Sequence, residues 1–166
     1  MKNALILLAG GSGKRFARGN YSTPKQFIKI GKFNIIEYFL QNLDEGIFER
    51  IHIVVKSSEQ KKYLKNIKKE FNQLNIHFVK AGKTRQESSK NGISSFKNYK
   101  PKNILIHDAA RPLVSNKLIK KLILSLKKYK SCSPYIINND LLKYKEDKSK
   151  TLCSKNIMNI QTPQAF

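Results

Sequence analysis

A cluster of glycines and cations near the N-terminus is the first feature of the sequence that could perform chemistry. The segment LAGGSGKR, residues 8–15, places three glycines within four residues directly before Lys14 and Arg15, and Lys25 follows ten residues later. Glycines let backbone N–H groups approach phosphate oxygens without an intervening side chain, and the cations add charge. The segment predicts a phosphate-binding loop. The structural alternative is a tight strand-to-helix turn with ordinary surface cations.

This loop departs from the two common phosphate-loop patterns. A Walker A loop requires Gly, four residues and then Gly-Lys-Ser/Thr, but Leu8 stands at the first glycine position and Arg15 replaces the hydroxyl residue. A dinucleotide-binding fingerprint requires a third glycine where Phe16 stands. The loop is therefore predicted to bind phosphate in a different kind of site.

Further charged motifs occur in the segments GKTRQESSKNG (82–92) and IHDAARPLV (106–114). Three of the five arginines, Arg15, Arg85 and Arg111, lie in motifs, where a planar bidentate guanidinium has a use that lysine cannot fill. Asp108 ends an apolar run, at the predicted end of a strand. His107, in the same run, is interpreted as a structural histidine rather than a catalytic one.

These motifs need a scaffold, and the hydrophobic pattern predicts one. Continuously apolar runs typical of buried parallel strands alternate with amphipathic stretches of helical length. The predicted strands are 4–9, 50–55, 76–79 and 103–107, and the predicted helices are 34–43, 59–74, 85–97 and 116–129. Capping boxes at Ser57–Gln60 and Thr84–Glu87 support two of the helix starts. The order βαβαβαβα predicts an α/β, Rossmann-like three-layer α/β/α fold with an open, mostly parallel sheet, whose ligands bind at the carboxyl ends of the strands.

Composition narrows the class of protein. The 166 residues include 33 Lys and Arg against 11 Asp and Glu, a net charge of +22, and 40% are hydrophobic, which suits one globular domain over 1–166. Of the basic residues, 28 are Lys, spread over every predicted helix, so the charge is a weak sign of nucleic-acid binding. No apolar run approaches the roughly 20 residues that span a bilayer. Cys132 and Cys153 are predicted to be free thiols in the cytoplasm.

Five segments together resemble a known enzyme family. LAGGSGKR, STPKQF (22–27), GKTRQESSKNG, IHDAARPLV and QTPQAF (161–166) match, in order and spacing, the 2-C-methyl-D-erythritol 4-phosphate cytidylyltransferase family, among the cytidylyltransferases that activate sugar-alcohol phosphates. The resemblance covers the whole chain, and HDAARP is its most specific part. It implies transfer of CMP from CTP to 2-C-methyl-D-erythritol 4-phosphate with release of pyrophosphate, a step of non-mevalonate isoprenoid biosynthesis.

The resemblance also implies roles for individual residues. Arg15 and Lys25 are the catalytic cations, which neutralise the triphosphate and the charge that develops during transfer, and Asp108 helps to hold Mg²⁺. The implied nucleotide-binding residues are Ala9, Gly10, Gly11, Gly13, Lys14, Gly82, Arg85, Ser88 and Asp108. For Arg85 and Ser88 the alternative is a solvated first helical turn after the Thr84 cap.

The acceptor substrate is expected to meet a second set of residues, some of them on an extended β-arm near 138–160. In the family this arm crosses to the partner in a homodimer. The implied acceptor-binding residues are Asp108, Arg111, Asp140, Lys143 and Lys155. Two positions depart from the family pattern: Leu141 replaces a threonine, and Ser154 replaces an arginine, with Lys155 adjacent as a substitute point charge.

These departures keep two other functions open. One is a cytidylyltransferase with a different acceptor, ribitol 5-phosphate, which the altered arm favours. The other, from a different class, is a weakly catalytic or non-catalytic module that binds nucleotides or nucleic acid. Because the family continues beyond its Thr-Pro-Gln motif with a late strand that carries a second lysine, we also expect these 166 residues to lack the C-terminal part of the fold and to be nearly inactive alone.

Overall fold

A computed structural model shows how the chain folds. It describes residues 2–11, 23–56, 58–138, 142–147, 149–152 and 157–166. The long strands are β1 (Asn3–Leu8), β4 (Arg50–Val55), β5 (Ile76–Lys80) and β6 (Asn103–Asp108), and the helices are α1 (Ile35–Gln41), α2 (Ser58–Glu70), α3 (Arg85–Ser94) and α4 (Asn116–Ser125). Each agrees with a predicted element, although the helices, most of all α2 and α4, end earlier than the hydrophobic pattern indicated.

In the described part of the chain, seven shorter strands and a 3-10 helix accompany these elements. The 3-10 helix is Lys25–Phe27, and the short strands are β2 (Lys29–Ile30), β3 (Phe33–Asn34), β7 (Tyr135–Ile137), β8 (Leu142–Lys143), β9 (Thr151–Leu152), β10 (Met158–Ile160) and β11 (Gln164–Ala165). Antiparallel pairs join β7 with β10 and β8 with β9. These two ribbons confirm an extended β segment near the predicted arm. No helix among the described residues is both long and apolar enough to cross a membrane.

The central sheet has five strands in the order β11-β6-β1-β4-β5. Strands β6, β1, β4 and β5 run parallel, and β11 pairs antiparallel with β6 at the edge. The chain moves outward from β1 through β4 to β5 and then returns to β6 on the other side of β1. The strand order therefore reverses between β1 and β6, and an open α/β sheet binds its ligands at such a switch point. Register places Leu8 beside Asp108, so the two strands end level with each other.

The two faces of the sheet are covered unequally. Helices α1, α2 and α4 pack on one face, hereafter the three-helix face, through a large apolar cluster that includes Ile36, Ile67 and Ile119. Helix α3 packs on the other, the α3 face, where the buried apolar cluster is Ala4, Ile6, Val54, Ala81, Phe96 and Ile106. The alternation of side chains along β1 and β4 sends one set of residues to each face.

Side-chain hydrogen bonds to backbone N–H groups cap the N-termini of α1, α3 and α4. Thr84 Oγ1 accepts from the N–H of Glu87 at 3.1 Å, as predicted, but the Glu87 carboxylate accepts from the N–H of Lys83 and so does not complete a capping box. A full capping box instead begins α1, where Asn34 and Glu37 accept from each other's backbone N–H groups. Ser115 caps α4. Ser57 lies outside the described residues.

Candidate active site

A cavity of about 450 Å³ opens at the switch point, beyond the carboxyl ends of β1 and β6. Its walls come from the loops after β1, β4, β5 and β6 and from the 3-10 helix. The lining residues are Leu8, Gly10, Gly11, Lys25, Gln26, Lys56, Gly82, Lys83, Thr84, Arg85, Ser88, Asp108, Ala110 and Arg111. The motifs singled out in the sequence thus meet around one cavity.

The charge of this cavity favours a polyanion. Its described walls carry five cationic side chains, Lys25, Lys56, Lys83, Arg85 and Arg111, against one carboxylate, Asp108. A concave site lined by one sign of charge concentrates the opposite charge from solution. Several convergent cations are also what a developing negative charge on transferring phosphate requires.

The glycine turn after β1 leaves room for a ligand. A Cβ atom on Gly10 would lie 2.6 Å from Cβ of Ala81, so the close approach of the β5–α3 loop requires glycine there. A Cβ atom on Gly11 would meet no described residue within 4 Å, although Gly11 lines the cavity. Gly10 therefore serves the packing of the protein, whereas the space in front of Gly11 is open to a bound group.

The loop at residues 82–88 is held by its own side chains. Ser88 is buried, and its hydroxyl donates to the Thr84 carbonyl at 2.8 Å and accepts from the N–H of Gly82 at 3.1 Å. The N–H of Lys83 donates to the Glu87 carboxylate at 2.6 Å. Two N–H groups of this segment are thus used inside the protein, and Gly82, Lys83 and Arg85 line the cavity.

Asp108 lies between two arginines at the end of β6. Its carboxylate oxygens are 3.4 Å from Nε of Arg85 and 3.4 Å from Nε of Arg111. Arg111 also donates to the side-chain oxygen of Gln161, and Arg85 donates to that of Gln164 at 3.3 Å. The QTPQAF segment therefore supports the cavity by orienting both guanidinium groups.

His107 is wholly buried beside this site. Its Nε2 lies 2.8 Å from the Arg111 carbonyl, which only accepts, so Nε2 carries the proton and donates. Burial lowers the pKa of the His107 imidazole. A neutral ring that braces the loop at 108–111 agrees with the structural role predicted for this histidine.

The other predicted site residues divide into three groups. Gly13, Lys14, Arg15, Asp140 and Lys155 lie outside the described residues and stay predictions. The side chain of Ala9 is buried in the three-helix cluster, so only its backbone is available to the cavity. Lys143 lies on the β8–β9 ribbon and is absent from the described cavity wall.

Six lining residues were not predicted as site residues: Leu8, Gln26, Lys56, Lys83, Thr84 and Ala110. Lys56 directly follows β4 and Lys83 lies inside the predicted loop, so their positions at strand ends were the available signal. Gln26 lies next to Lys25 in STPKQF, but nothing local indicates that it is buried.

Comparison with known proteins agrees with this geometry. Residues 3–166 match the family model for 2-C-methyl-D-erythritol 4-phosphate cytidylyltransferase, IspD. A bifunctional enzyme IspD/IspF of Pelagibacter ubique is 40% identical over the full chain, which spans 43% of that protein. The 2-C-methyl-D-erythritol 4-phosphate cytidylyltransferase of Thermotoga neapolitana is 31% identical over 99% of the chain, which spans 72% of it.

A solved structure gives the same result. The 4-diphosphocytidyl-2C-methyl-D-erythritol synthase of Anaerococcus prevotii superposes on 99% of this chain with a TM-score of 0.77 at 25% identity, and the chain covers 69% of it. The chain therefore spans less than half of a bifunctional relative and about 70% of the single-function ones.

Proposed function

Because the chain belongs to the 2-C-methyl-D-erythritol 4-phosphate cytidylyltransferase family, we propose that it binds CTP in the switch-point cavity and promotes cytidylyl transfer to 2-C-methyl-D-erythritol 4-phosphate. The family's members are nucleotidyltransferases. The observation that carries the proposal for this chain is the cavity itself, where five cations and one carboxylate converge at the ends of parallel strands.

The proposed reaction needs charge neutralisation more than it needs a base. A phosphate oxygen of the acceptor attacks the α-phosphorus of CTP, the bond from that phosphorus to the bridging oxygen of the β-phosphate breaks, and pyrophosphate leaves with the electron pair. The nucleophile is already an anion, so no proton has to be removed. Lys25 and the arginines hold the reacting phosphates in line and stabilise the charge on the equatorial oxygens. Arg15 and Lys14 keep their predicted roles as further cations.

Selection of cytosine is assigned to the segment at 82–92, the loop before α3 and the first part of that helix. Its Gly82 and Lys83 N–H groups donate to Ser88 and Glu87, and we propose that a backbone carbonyl of this segment reads the base. A carbonyl accepts from the exocyclic amino group of cytosine, which uracil lacks. Losing a specific polar partner of this kind discriminates strongly between otherwise similar substrates.

Asp108 fits a magnesium ion that is shared with the substrate. Its carboxylate is 31% exposed on the cavity side, and its 3.4 Å distances to the guanidinium groups exceed the roughly 2.7–2.9 Å of a tight charge-assisted hydrogen bond. Magnesium is commonly held by one or two carboxylates together with phosphate oxygens. The described residues contain no group of three or more His, Cys, Asp or Glu side chains that could hold a metal ion. Mg²⁺ bound by Asp108 and the triphosphate would supply further neutralisation of phosphate charge.

The acceptor and a second subunit are proposed to meet at the β7–β10 ribbon and the segment it brackets. Apolar side chains on both strands are more than half exposed: Tyr135, Ile136, Ile137, Met158 and Ile160. Such a patch favours a homodimer, which would bring Asp140, Lys143 and Lys155 toward an acceptor. The altered positions Leu141 and Ser154 make ribitol 5-phosphate the second candidate acceptor. We place the reaction in the cytoplasm, where the Cys132 thiol stays reduced.

Calorimetry with CTP, UTP, ATP and GTP, combined with pyrophosphate release in the presence of each acceptor, tests the proposal. We expect binding selective for CTP and, at the low turnover expected of these 166 residues alone, faster release with 2-C-methyl-D-erythritol 4-phosphate than with ribitol 5-phosphate. Lys25→Ala should lower turnover on the order of 100-fold, about 3 kcal/mol of barrier. Lys121→Ala, an equal loss of charge on the exposed side of α4, is the control. Equal affinity for all four nucleotides, or unchanged turnover in Lys25→Ala, would contradict the proposal.

A further inference from the structure

Gln26 is a buried polar side chain between two residues of opposite character. Lys25 before it is exposed and lines the cavity, and Phe27 after it packs in the three-helix cluster. The Gln26 side chain itself is only 3% exposed. Its amide nitrogen donates to two carbonyl oxygens of the glycine turn, that of Ala9 at 2.6 Å and that of Gly11 at 3.0 Å. Both hydrogens of the amide are thereby used on one short piece of backbone.

These bonds restrain a turn that has little restraint of its own. The N–H of Ala9 donates to the Val54 carbonyl at 2.8 Å, which continues the sheet by one residue. Beyond that bond two glycines follow, and a peptide unit between glycines rotates with little steric cost because no Cβ atom opposes it. Gln26 fixes the carbonyl before Gly10 and the carbonyl of Gly11, one on each side of the Gly10–Gly11 peptide.

The orientation of these carbonyls matters for a phosphate ligand. In a planar trans peptide the C=O and N–H groups point in opposite directions, so holding the Ala9 carbonyl against Gln26 directs the N–H of Gly10 away from Gln26. A rotated peptide would turn a carbonyl oxygen toward the phosphates, and two negative partners would then face each other. The same amide also ties the 3-10 helix that carries Lys25 to the end of β1.

We propose that Gln26 is a positioning residue for nucleotide binding, which locks the peptide orientation of the Gly10–Gly11 turn and fixes Lys25 relative to it. The effect on CTP rests on the function proposed above, whereas the effect on the turn does not. A buried amide that merely filled space would stabilise the protein without any bearing on the turn or on Lys25.

The variants separate donor chemistry from shape. Gln26→Met keeps the length of the side chain and removes both donors. Gln26→His restores one donor, because its Nε2–H reaches about as far as the glutamine amide. Asn3→Leu is the matched control: Asn3 is also a buried amide on β1, 7% exposed, and it donates to the Ile47 carbonyl at 3.0 Å at the opposite end of the strand.

Four measurements test the proposal on these 166 residues. Backbone amide resonances of Gly10 and Gly11, recorded without nucleotide, should shift in Gln26→Met and stay in place in Asn3→Leu. The CTP dissociation constant should rise about 10- to 100-fold in Gln26→Met, because two backbone carbonyls, one of them buried, lose their donor, and Gln26→His should recover part of it. Turnover should fall together with the rise in KM, since Lys25 is displaced as well. The midpoint temperature of thermal unfolding should fall by a similar amount in Gln26→Met and Asn3→Leu.

The outcomes distinguish the two proposals. If the wild-type chain binds no CTP, the proposed function fails. The Gly10 and Gly11 resonances recorded without nucleotide still test whether Gln26 positions the turn. Unchanged Gly10 and Gly11 resonances in Gln26→Met would overturn the inference. So would CTP affinity within twofold of wild type in Gln26→Met, or an equal loss of affinity in Asn3→Leu, while the wild-type chain binds CTP.

Discussion

The three-helix face and the α3 face of the same sheet differ in how many apolar side chains their helices bury and in what they contribute to the cavity. On the three-helix face, α1, α2 and α4 bury many large aliphatic and aromatic side chains. On the α3 face, the helix itself buries only Ser88 and Gly92. The first residues of α3 and its cap nevertheless form a wall of the cavity, through Thr84, Arg85 and Ser88. The face with the smaller apolar cluster thus supplies part of the cavity wall, together with the strand-end loops and the 3-10 helix.

On the α3 face, the helix backbone lies close to the sheet and buries few side chains between them. A Cβ atom on Gly92 would lie 2.7 Å from Cγ2 of Ile6, so the helix lies against the sheet through its backbone. At the C-terminal end of α3, Ser95 Oγ contacts Nδ1 of buried His52 at 2.5 Å, and His52 stacks on Phe96 with ring centroids 3.9 Å apart. Because α3 lies directly against the sheet and buries few side chains of its own, small changes beneath it should reach the cavity, whereas larger losses on the three-helix face should not.

The largest effects are expected from a pair of variants that perturb the two faces. Ile119→Ala empties a fully buried site on α4 and should lower the free energy of unfolding by about 2–5 kcal/mol while leaving CTP affinity unchanged. Gly92→Ala should lower it by only about 1–2 kcal/mol, since the clash with Ile6 outweighs the better helix propensity of alanine. Its CTP affinity should nevertheless fall, because α3 is pushed off the sheet.

Urea unfolding and calorimetry check this pair. Ser94→Ala, an exposed change in the same helix, is the control and should leave both quantities nearly unchanged. If Ile119→Ala weakened CTP binding as much as Gly92→Ala, the two faces would not differ in their connection to the site.

Acid should destabilise the α3 face through His52. Burial, His77 and Arg50 lower the pKa of His52 from 6.5 to about 4. The Ser95 hydroxyl donates to the Gly92 carbonyl, so Nδ1 of His52 donates to Ser95, and a second proton would go to buried Nε2, which has no partner among the described residues. Stability from neutral His52 is therefore complete above pH 6.5 and declines as the pH falls toward 4, by about 1–3 kcal/mol.

Denaturant midpoints between pH 7.5 and 4 measure this decline. His52→Asn keeps a hydrogen-bond donor near the position of Nδ1 and cannot titrate. In this variant the denaturant midpoint should change less steeply with pH. Burial also lowers the pKa of His77 and of His107, so part of the decline should persist. His77→Gln, at an exposed position, should flatten it less. An unaltered slope in His52→Asn would assign the acid sensitivity elsewhere.

The smallest effects are expected from the two helix caps. Thr84 caps α3 and Ser115 caps α4 through equivalent bonds of 3.1 and 3.2 Å to backbone N–H groups. Alanine at either position should lower the free energy of unfolding by about 1 kcal/mol. CTP affinity should fall in Thr84→Ala alone, because only that cap lines the cavity. Equal affinities in the two variants would show that the first turn of α3 is positioned without its cap.

The amino-acid sequence by itself determined the four long strands, the four helices and the convergence of its motifs on one cavity. Hydrophobic period and strand-end position depend on neighbours only a few residues away, so Gly10, Arg85, Asp108 and Arg111 could be assigned from local pattern. The resemblance of five ordered motifs then indicated the family, which the comparisons confirmed.

The tertiary structure alone decided which polar groups hold that cavity in shape. Gln26 meets backbone 17 residues away, Arg111 meets Gln161 across 50 residues, and β11 joins β6 although it is only two residues long. Asn34 begins α1 with a capping box at a position that the pattern had placed inside the helix. Such contacts depend on how distant segments of the chain pack. The hydrophobic pattern of the sequence does not distinguish a buried polar residue from an exposed one. Only the folded chain therefore shows where the hydrogen bonds of such a residue go.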